Sequence, residues 1–265
     1  MVCARQRTIT GQQLMGQLPK SRIIPSRSFL NTAVDYAGPF SLRTLRGRGG
    51  KIYKGYLIIF VCLSTSAIHL EVATDYTSSG FIAAYKRFVG RRGIAATITS
   101  DCGTNLVGAD RELRNLFNSA SEQWKSIANL LANDGTQWIF NPPGAPHFGG
   151  KWEAGVKSVK YHLKRVIGDG SLSFKEFTTL LIEIEAILNS RPLCPISDDP
   201  NGIDVLTPGH FLIGTALTSI PEPSTLDINI SRLSRSTSES TSDTSLLPDE
   251  CRSFRELLSA FRSLA

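Results

Sequence analysis

The sequence predicts an α/β domain in which helices cover a mixed sheet, and three observations predict it. Short β-rich runs alternate with longer stretches whose apolar residues recur at helical spacing. Their order is strand, strand, strand, helix, strand, helix, strand, helix, helix, which suits a mixed sheet with helices packed on it. At 265 residues, with 41% hydrophobic and 20% charged, the chain can bury a sizeable core. That balance excludes a wholly disordered or collagen-like protein.

Residues 1–28 are basic and polar, broken by Pro19 and Pro25, and read as an arm. Asn31–Phe40 reads as a strand, apolar apart from Asp35 and ended by Gly38-Pro39. After a Gly/Arg-rich turn over Arg43–Lys54, Tyr56–Leu63 and Ala67–Ala73 form a hairpin through Ser64-Thr65-Ser66. Thr77, Ser78 or Ser79 caps a helix carrying Phe81, Ile82, Tyr85, Phe88 and Val89. Ala95–Ser100 is a short strand ending at Asp101, and Asp110–Phe117 is helical, with Leu113, Leu116 and Phe117 on one side. Gln137–Phe140 is a strand closed by Pro142-Pro143. Gly149-Gly150 leads into a helix over about Lys151–Ile167, with Val156, Val159, Leu163 and Val166 on its apolar face. Ser173 and Glu176 form a capping box for a helix that runs to about Ser190, where Pro192 and Pro195 stop it. Beyond about Ile220 periodicity fades, and Ser231–Ser245 holds seven Ser and three Thr. The expected division is a basic arm over 1–28, a core over 29–215 and a largely disordered tail over 216–265.

The net charge is +6, but residues 1–54 hold ten basic residues and a single acidic one, Asp35, so the excess is concentrated there. A basic arm on a near-neutral body suits a polyanion, most simply nucleic acid; a merely soluble basic surface is the alternative. Five scattered cysteines with no CxxC pair argue against a disulfide framework or a complete zinc knuckle. The longest apolar run, Tyr56–Leu63, is far short of a membrane span, and the N-terminus shows no signal-peptide core. The expectation is an intracellular protein without a membrane partner.

Acids in apolar strands are the informative anomaly. Asp35 lies in Thr-Ala-Val-Asp-Tyr-Ala and Asp101 ends Ala-Thr-Ile-Thr-Ser-Asp. A carboxylate so placed is paired, protonated or metal-bound, although either alone is most simply a cap or turn residue. Glu153 sits one turn into a helix, where a solvated acid suits the helix dipole. Together, two acids at strand ends and one on a following helix can converge on one sheet edge. Such oxygen donors are what hard divalent cations take, and two metals about 4 Å apart serve phosphodiester attack.

Counting i+4, i+7 and i+11 from Glu153 gives Lys157, Lys160 and Lys164 on the same helical face, opposite Val156, Val159 and Leu163. That stripe could lay DNA phosphates beside a metal site, or be an ordinary solvated face.

The segments Val-Asp-Tyr-Ala-Gly-Pro-Phe (34–40), Ser-Asp-Cys-Gly-Thr-Asn (100–105) and Ala-Pro-His-Phe-Gly-Gly-Lys-Trp-Glu-Ala (145–154) together resemble the integrase catalytic core of retroelements. Ile-Leu-Asn-Ser-Arg-Pro-Leu (187–193) and Leu-Thr-Pro-Gly-His-Phe-Leu (206–212) extend the resemblance to the BEL/Pao branch of LTR retrotransposons. It covers about residues 1–235, with all motifs in order.

The resemblance implies a ribonuclease-H-like fold, a mixed five-stranded sheet flanked by helices. It implies a polynucleotidyl transferase and nuclease for DNA integration, with Asp35, Asp101 and Glu153 as catalytic residues holding two Mg²⁺ or Mn²⁺ ions. The implied partners are element ends and target DNA, bound by a homo-oligomer in the nucleus. Asn105, Lys157 and Lys160 match DNA-contacting positions of the family, and Lys164 extends the stripe. Cys102 stands where many relatives carry Asn. His147 either orients a phosphate or water, or packs its loop. Relatives carry a His2Cys2 zinc domain ahead of the core, of which only Cys3 could be a remnant, and a basic domain after it. The expectation is therefore a core cut from both sides with reduced activity, or a non-catalytic DNA-binding and assembly module.

Overall fold

The computed structural model describes residues 18–44, 50–118, 136–142, 148–167, 170–195 and 205–217. The elements are, in order, α1 (Lys20–Ile23), β1 (Asn31–Arg43), β2 (Ile52–Cys62), β3 (Ile68–Ala73), α2 (Ser78–Arg92), β4 (Thr97–Ser100), α3 (Thr104–Asn118) and β5 (Gln137–Phe140). Then follow α4 (Gly150–Ile167), β6 (Leu172–Ser173), α5 (Phe174–Asn189), β7 (Cys194–Pro195), β8 (Val205–Leu206) and α6 (His210–Ile213). The disordered tail and the outer part of the arm expected from the sequence lie outside the described residues.

The main sheet has the order β3-β2-β1-β4-β5, with β6 beside the far end of β1. Strands β1, β2 and β3 pair antiparallel, whereas β4 is parallel to both β1 and β5. An antiparallel meander continued by parallel strands through crossover helices is the ribonuclease-H-like α/β arrangement, as expected. The sheet is buried on both faces. Helices α4 and α5 pack on one, through Trp152, Val156, Val159, Phe177, Leu180 and Ile184 against Ala33, Ile59, Val61 and Ile68. Helices α2 and α3 pack on the other, through Phe81, Phe88, Leu106 and Ala109 against Val34, Ile58, Phe60 and Ile98. Double burial explains why β2 reads as an unbroken apolar run rather than an alternation.

Caps act where the sequence places them. The Thr77 hydroxyl accepts from the Gly80 N–H at the start of α2. Ser173 and Glu176 make the reciprocal box at the start of α5.

Three local expectations are corrected. Strand β1 does not end at Gly38-Pro39 but runs on to Arg43, because the register shifts between Ala37 and Phe40 and so asks nothing of the N–H that Pro39 lacks. Helix α3 begins at Thr104, six residues before the expected Asp110, with the Gly103 carbonyl accepting from Leu106 and Val107. Its inward stripe is Leu106, Ala109 and Leu113, and Leu116 is 47% exposed rather than part of that face.

Candidate active site

Parallel pairing of β1 with β4 positions the first two acids. Thr32 faces Ile98 and Ala33 faces Thr99, so continuing that register brings Asp101, just past β4, beside Asp35. Strand alternation puts Asp35 on the face of Ala33 and Ala37, the face covered by α4. Gly155 lets α4 come close there: a β-carbon on it would stand 2.9 Å from the Ile59 Cδ1, and Ile59 is the β2 residue opposite Asp35. Glu153 lies in the first turn of this helix, exposed, while its neighbour Trp152 is buried in the core.

Electrostatics ties the three acids together. The Asp35 carboxyl is raised to about 6, chiefly by burial and in part by the neighbouring Asp101 and Glu153 carboxylates, against the Tyr36 N–H and Lys160, which pull it down. The Tyr36 N–H donates to Asp35 Oδ1 at 2.7 Å, fixing the carboxyl group. The Gly103 N–H lies 3.4 Å from Asp101 Oδ1, part of the turn that leads into α3. The donors are carboxylate oxygens, the chemistry hard divalent cations take. No group of three or more His, Cys, Asp or Glu among the described residues stands close enough to hold a metal ion.

Of the DNA-facing residues expected from the sequence, Lys157, Lys160 and Lys164 are all exposed along α4, and Lys160 acts on Asp35. Asn105 is different: it is 6% exposed, in the first turn of α3, beside the Tyr36 hydroxyl. Cys102 is exposed, with its thiol donating to the Asn141 carbonyl at 3.1 Å. His147 and Asp134 lie outside the described residues, as does the first part of the 145–154 motif. Asp75 accepts from the Thr77 N–H as a turn residue, and Asp110 pairs with Arg114 one helical turn on.

Sequence reasoning missed a second set of charged residues on the same sheet. Glu71 on β3 and Glu185 on α5 flank His69, with Arg87, Arg91 and Arg92 of α2 closing the cluster. An acid in the otherwise apolar run Ile68–Ala73, and another between Ile184 and Leu188, were the signals that could have found it. It also missed three tyrosines gathered beside the acids. The Tyr76 ring lies 4.8 Å from that of Tyr36 and 5.3 Å from that of Tyr56.

No protein-family model matches the chain, and no curated protein matches it. Among solved structures it is similar to a chain of the simian T-cell lymphotropic virus intasome in complex with PP2A regulatory subunit B56 gamma, with a TM-score of 0.44 and 17% identity. The match covers 80% of this chain and 64% of that one, so this chain spans less than two thirds of its neighbour. At that identity and score the likeness decides nothing about chemistry, and the fold assignment stands on strand order and direction.

Proposed function

We propose that this chain is the integrase-type polynucleotidyl transferase core of a BEL/Pao-type retroelement, acting on element ends and target DNA in the nucleus as a homo-oligomer. The supporting observation is the coupled trio of acids at the end of the β1–β4 pair and the start of α4, with Asp35 raised to about 6.

In this reading the carboxylate oxygens of Asp35, Asp101 and Glu153 would be the donors for Mg²⁺ or Mn²⁺. When bound, such ions lower the pKa of an attacking water and stabilise the leaving oxygen of an in-line displacement. The chain's own residues do the rest. The Tyr36 N–H holds the Asp35 carboxyl in place. Asp35, raised to about 6 by burial and two like charges, would release its proton when a cation binds beside it. Lys157, Lys160 and Lys164 lie along the solvent face of the same helix and neutralise DNA phosphates beside the acids. Gly155 keeps that helix close enough to the sheet for Glu153 to act on Asp35.

A second reading, a DNA-binding and assembly module without catalysis, is favoured by one observation: among the described residues the acids are not drawn to metal-holding closeness. Incubating the purified chain with labelled element ends and Mg²⁺ or Mn²⁺ separates the two. Metal-dependent nicking that Asp35→Asn, Asp101→Asn and Glu153→Gln each abolish supports the enzyme. DNA binding with neither nicking nor calorimetric metal binding sinks it and leaves the module.

A further inference from the structure

The acid site uses one face of β1; the other face, at the same level, carries features that this site leaves unused. Tyr36 points away from Asp35 toward α2 and α3, where its ring meets Tyr76 edge-on at an interplanar angle of 67°. Tyr56 supports Tyr76 from the neighbouring strand at 44°. Tyr76 itself remains 48% exposed, so one side of its ring is braced by two other tyrosines and the rest is open to solvent. It stands just past β3, close enough to the acids that Asp101 and Asp35 both act on its hydroxyl.

Beneath it the Tyr36 hydroxyl and the Asn105 amide are buried side by side; they answer each other only in part, which leaves amide hydrogen-bonding capacity unused. Buried polar groups are normally fully satisfied, so an amide with unused capacity marks a place built for a partner. This place is contiguous with the acid site: a β-carbon on Gly103 would stand 2.9 Å from the Asn105 Oδ1 and 3.5 Å from the Asp101 Oδ1. A braced, half-exposed aromatic ring next to an unsatisfied amide and hydroxyl suits a flat heterocycle with polar edges. Apolar side chains would leave the amide unpaired.

We propose that Tyr76 is a stacking platform for a nucleobase of the strand whose phosphate lies at Asp35, Asp101 and Glu153, with the Tyr36 hydroxyl and Asn105 amide taking the base's polar edge. This deepens the DNA reading and rests on it. Stacking is tolerant of sequence, so any base at that position can occupy the ring.

The test measures affinity of the full chain for a fluorescent branched DNA carrying an element end, intact or with one abasic position moved along the strand near the scissile bond. Tyr76→Ala is expected to weaken binding about 5- to 100-fold, the usual range for one stacked base, while Tyr76→Phe and Tyr76→Trp keep it. One abasic position should weaken the wild type equally, and there Tyr76→Ala should make no further difference. If every abasic position leaves the Tyr76→Ala effect intact, or Tyr76→Ala binds like wild type, the proposal is overturned. Photocrosslinking of the wild-type chain to 5-iodouracil at that position, mapped to Tyr76, gives a readout that does not depend on how the variant folds; mapping elsewhere also overturns it. Indifference at Tyr76 while Lys157→Ala with Lys160→Ala loses affinity removes this inference and keeps the DNA reading. A wild-type chain that binds no DNA removes both.

Discussion

Two acid-rich clusters sit on one sheet, and they are built on opposite principles. Around His69, each carboxylate has cations of the same chain: Glu71 meets Arg87 and Arg91, and Glu185 meets Arg92 at 2.5 Å. Glu185 also accepts the Leu70 N–H at 2.9 Å, which stitches α5 to β3. His69 lies between the two carboxylates, its Nδ1 3.2 Å from Glu185 Oε1 and its Nε2 3.2 Å from Glu71 Oε1. Burial, helped by Arg92 and Arg91, outweighs Glu185 and holds the His69 pKa below the usual histidine value. Among the described residues no cation pairs directly with Asp35, Asp101 or Glu153; burial and two like charges act on Asp35, and Lys160 answers in part. A cluster neutralised from within is architecture, and a cluster left with surplus negative charge is where an outside cation or its ligand has something to contribute.

The largest test of that contrast removes an acid from each cluster. Glu185→Ala strips partners from Arg92, His69 and the Leu70 N–H together. Breaking a buried pair from one side is expected to cost about 3 kcal/mol or more, read as a lower urea midpoint at unchanged slope. Asp35→Asn should move the other way at neutral pH, raising stability by about 1–2 kcal/mol once solvent screening is discounted, while ending any nicking. Equal destabilisation by the two substitutions would erase the distinction.

Their pH dependences should also oppose each other. Asp35 binds a proton more tightly folded, near 6, than unfolded, near 3.8, so its contribution falls as pH rises through that window. His69 binds its proton less tightly folded than its ordinary 6.5, so its contribution falls as pH drops below that value. Glu185, held below its ordinary 4.5 by His69, the Leu70 N–H and Arg92 despite its burial, loses its contribution only at still lower pH. Asp35→Asn should therefore leave a stability that rises with pH between about 4 and 6, and His69→Asn one that declines across it, each by up to about 1.4 kcal/mol per pH unit. Chemical unfolding at a series of pH values reads both slopes, and a matching slope in the two variants would break the assignment.

The paired cluster was the less legible of the two in the sequence, for a physical reason. Asp35 interrupts an otherwise apolar strand, Asp101 directly follows one and Glu153 follows a Gly-Gly break, so one-dimensional signals mark all three. Glu71, Glu185 and the three arginines come from β3, α5 and α2, whose meeting depends on tertiary packing. Helices α4 and α5 were legible because their apolar stripes and the Ser173 cap agree with one another. The start of α3 was not: Gly103, Thr104, Asn105 and Gly108 are weak helix formers that conceal the Leu106, Ala109, Leu113 stripe. That concealment hid where Asn105 sits, and the tyrosine group was hidden because Tyr36, Tyr56 and Tyr76 lie on three separate segments.

The smallest expected effect concerns the lysines that border the unneutralised cluster. Lys157, Lys160 and Lys164 are exposed on α4, so exchanging the first two for alanine removes little packing and places a better helix former at each position. Melting temperature should hardly move. Binding should change through counterions instead: every DNA phosphate that is no longer neutralised lowers the slope of log affinity against log salt by about 0.9, so the double variant should flatten it by up to about 1.8. The two positions should differ in one respect. Lys160 is among the groups that lower the Asp35 pKa, so Lys160→Ala should carry the Asp35 titration to higher pH, observable as a shift of its carboxyl NMR resonance. Lys157→Ala should leave that titration where it is. A salt slope unchanged in the double variant would make the stripe an ordinary solvated face, and an Asp35 titration indifferent to Lys160 would separate the stripe from the acids altogether.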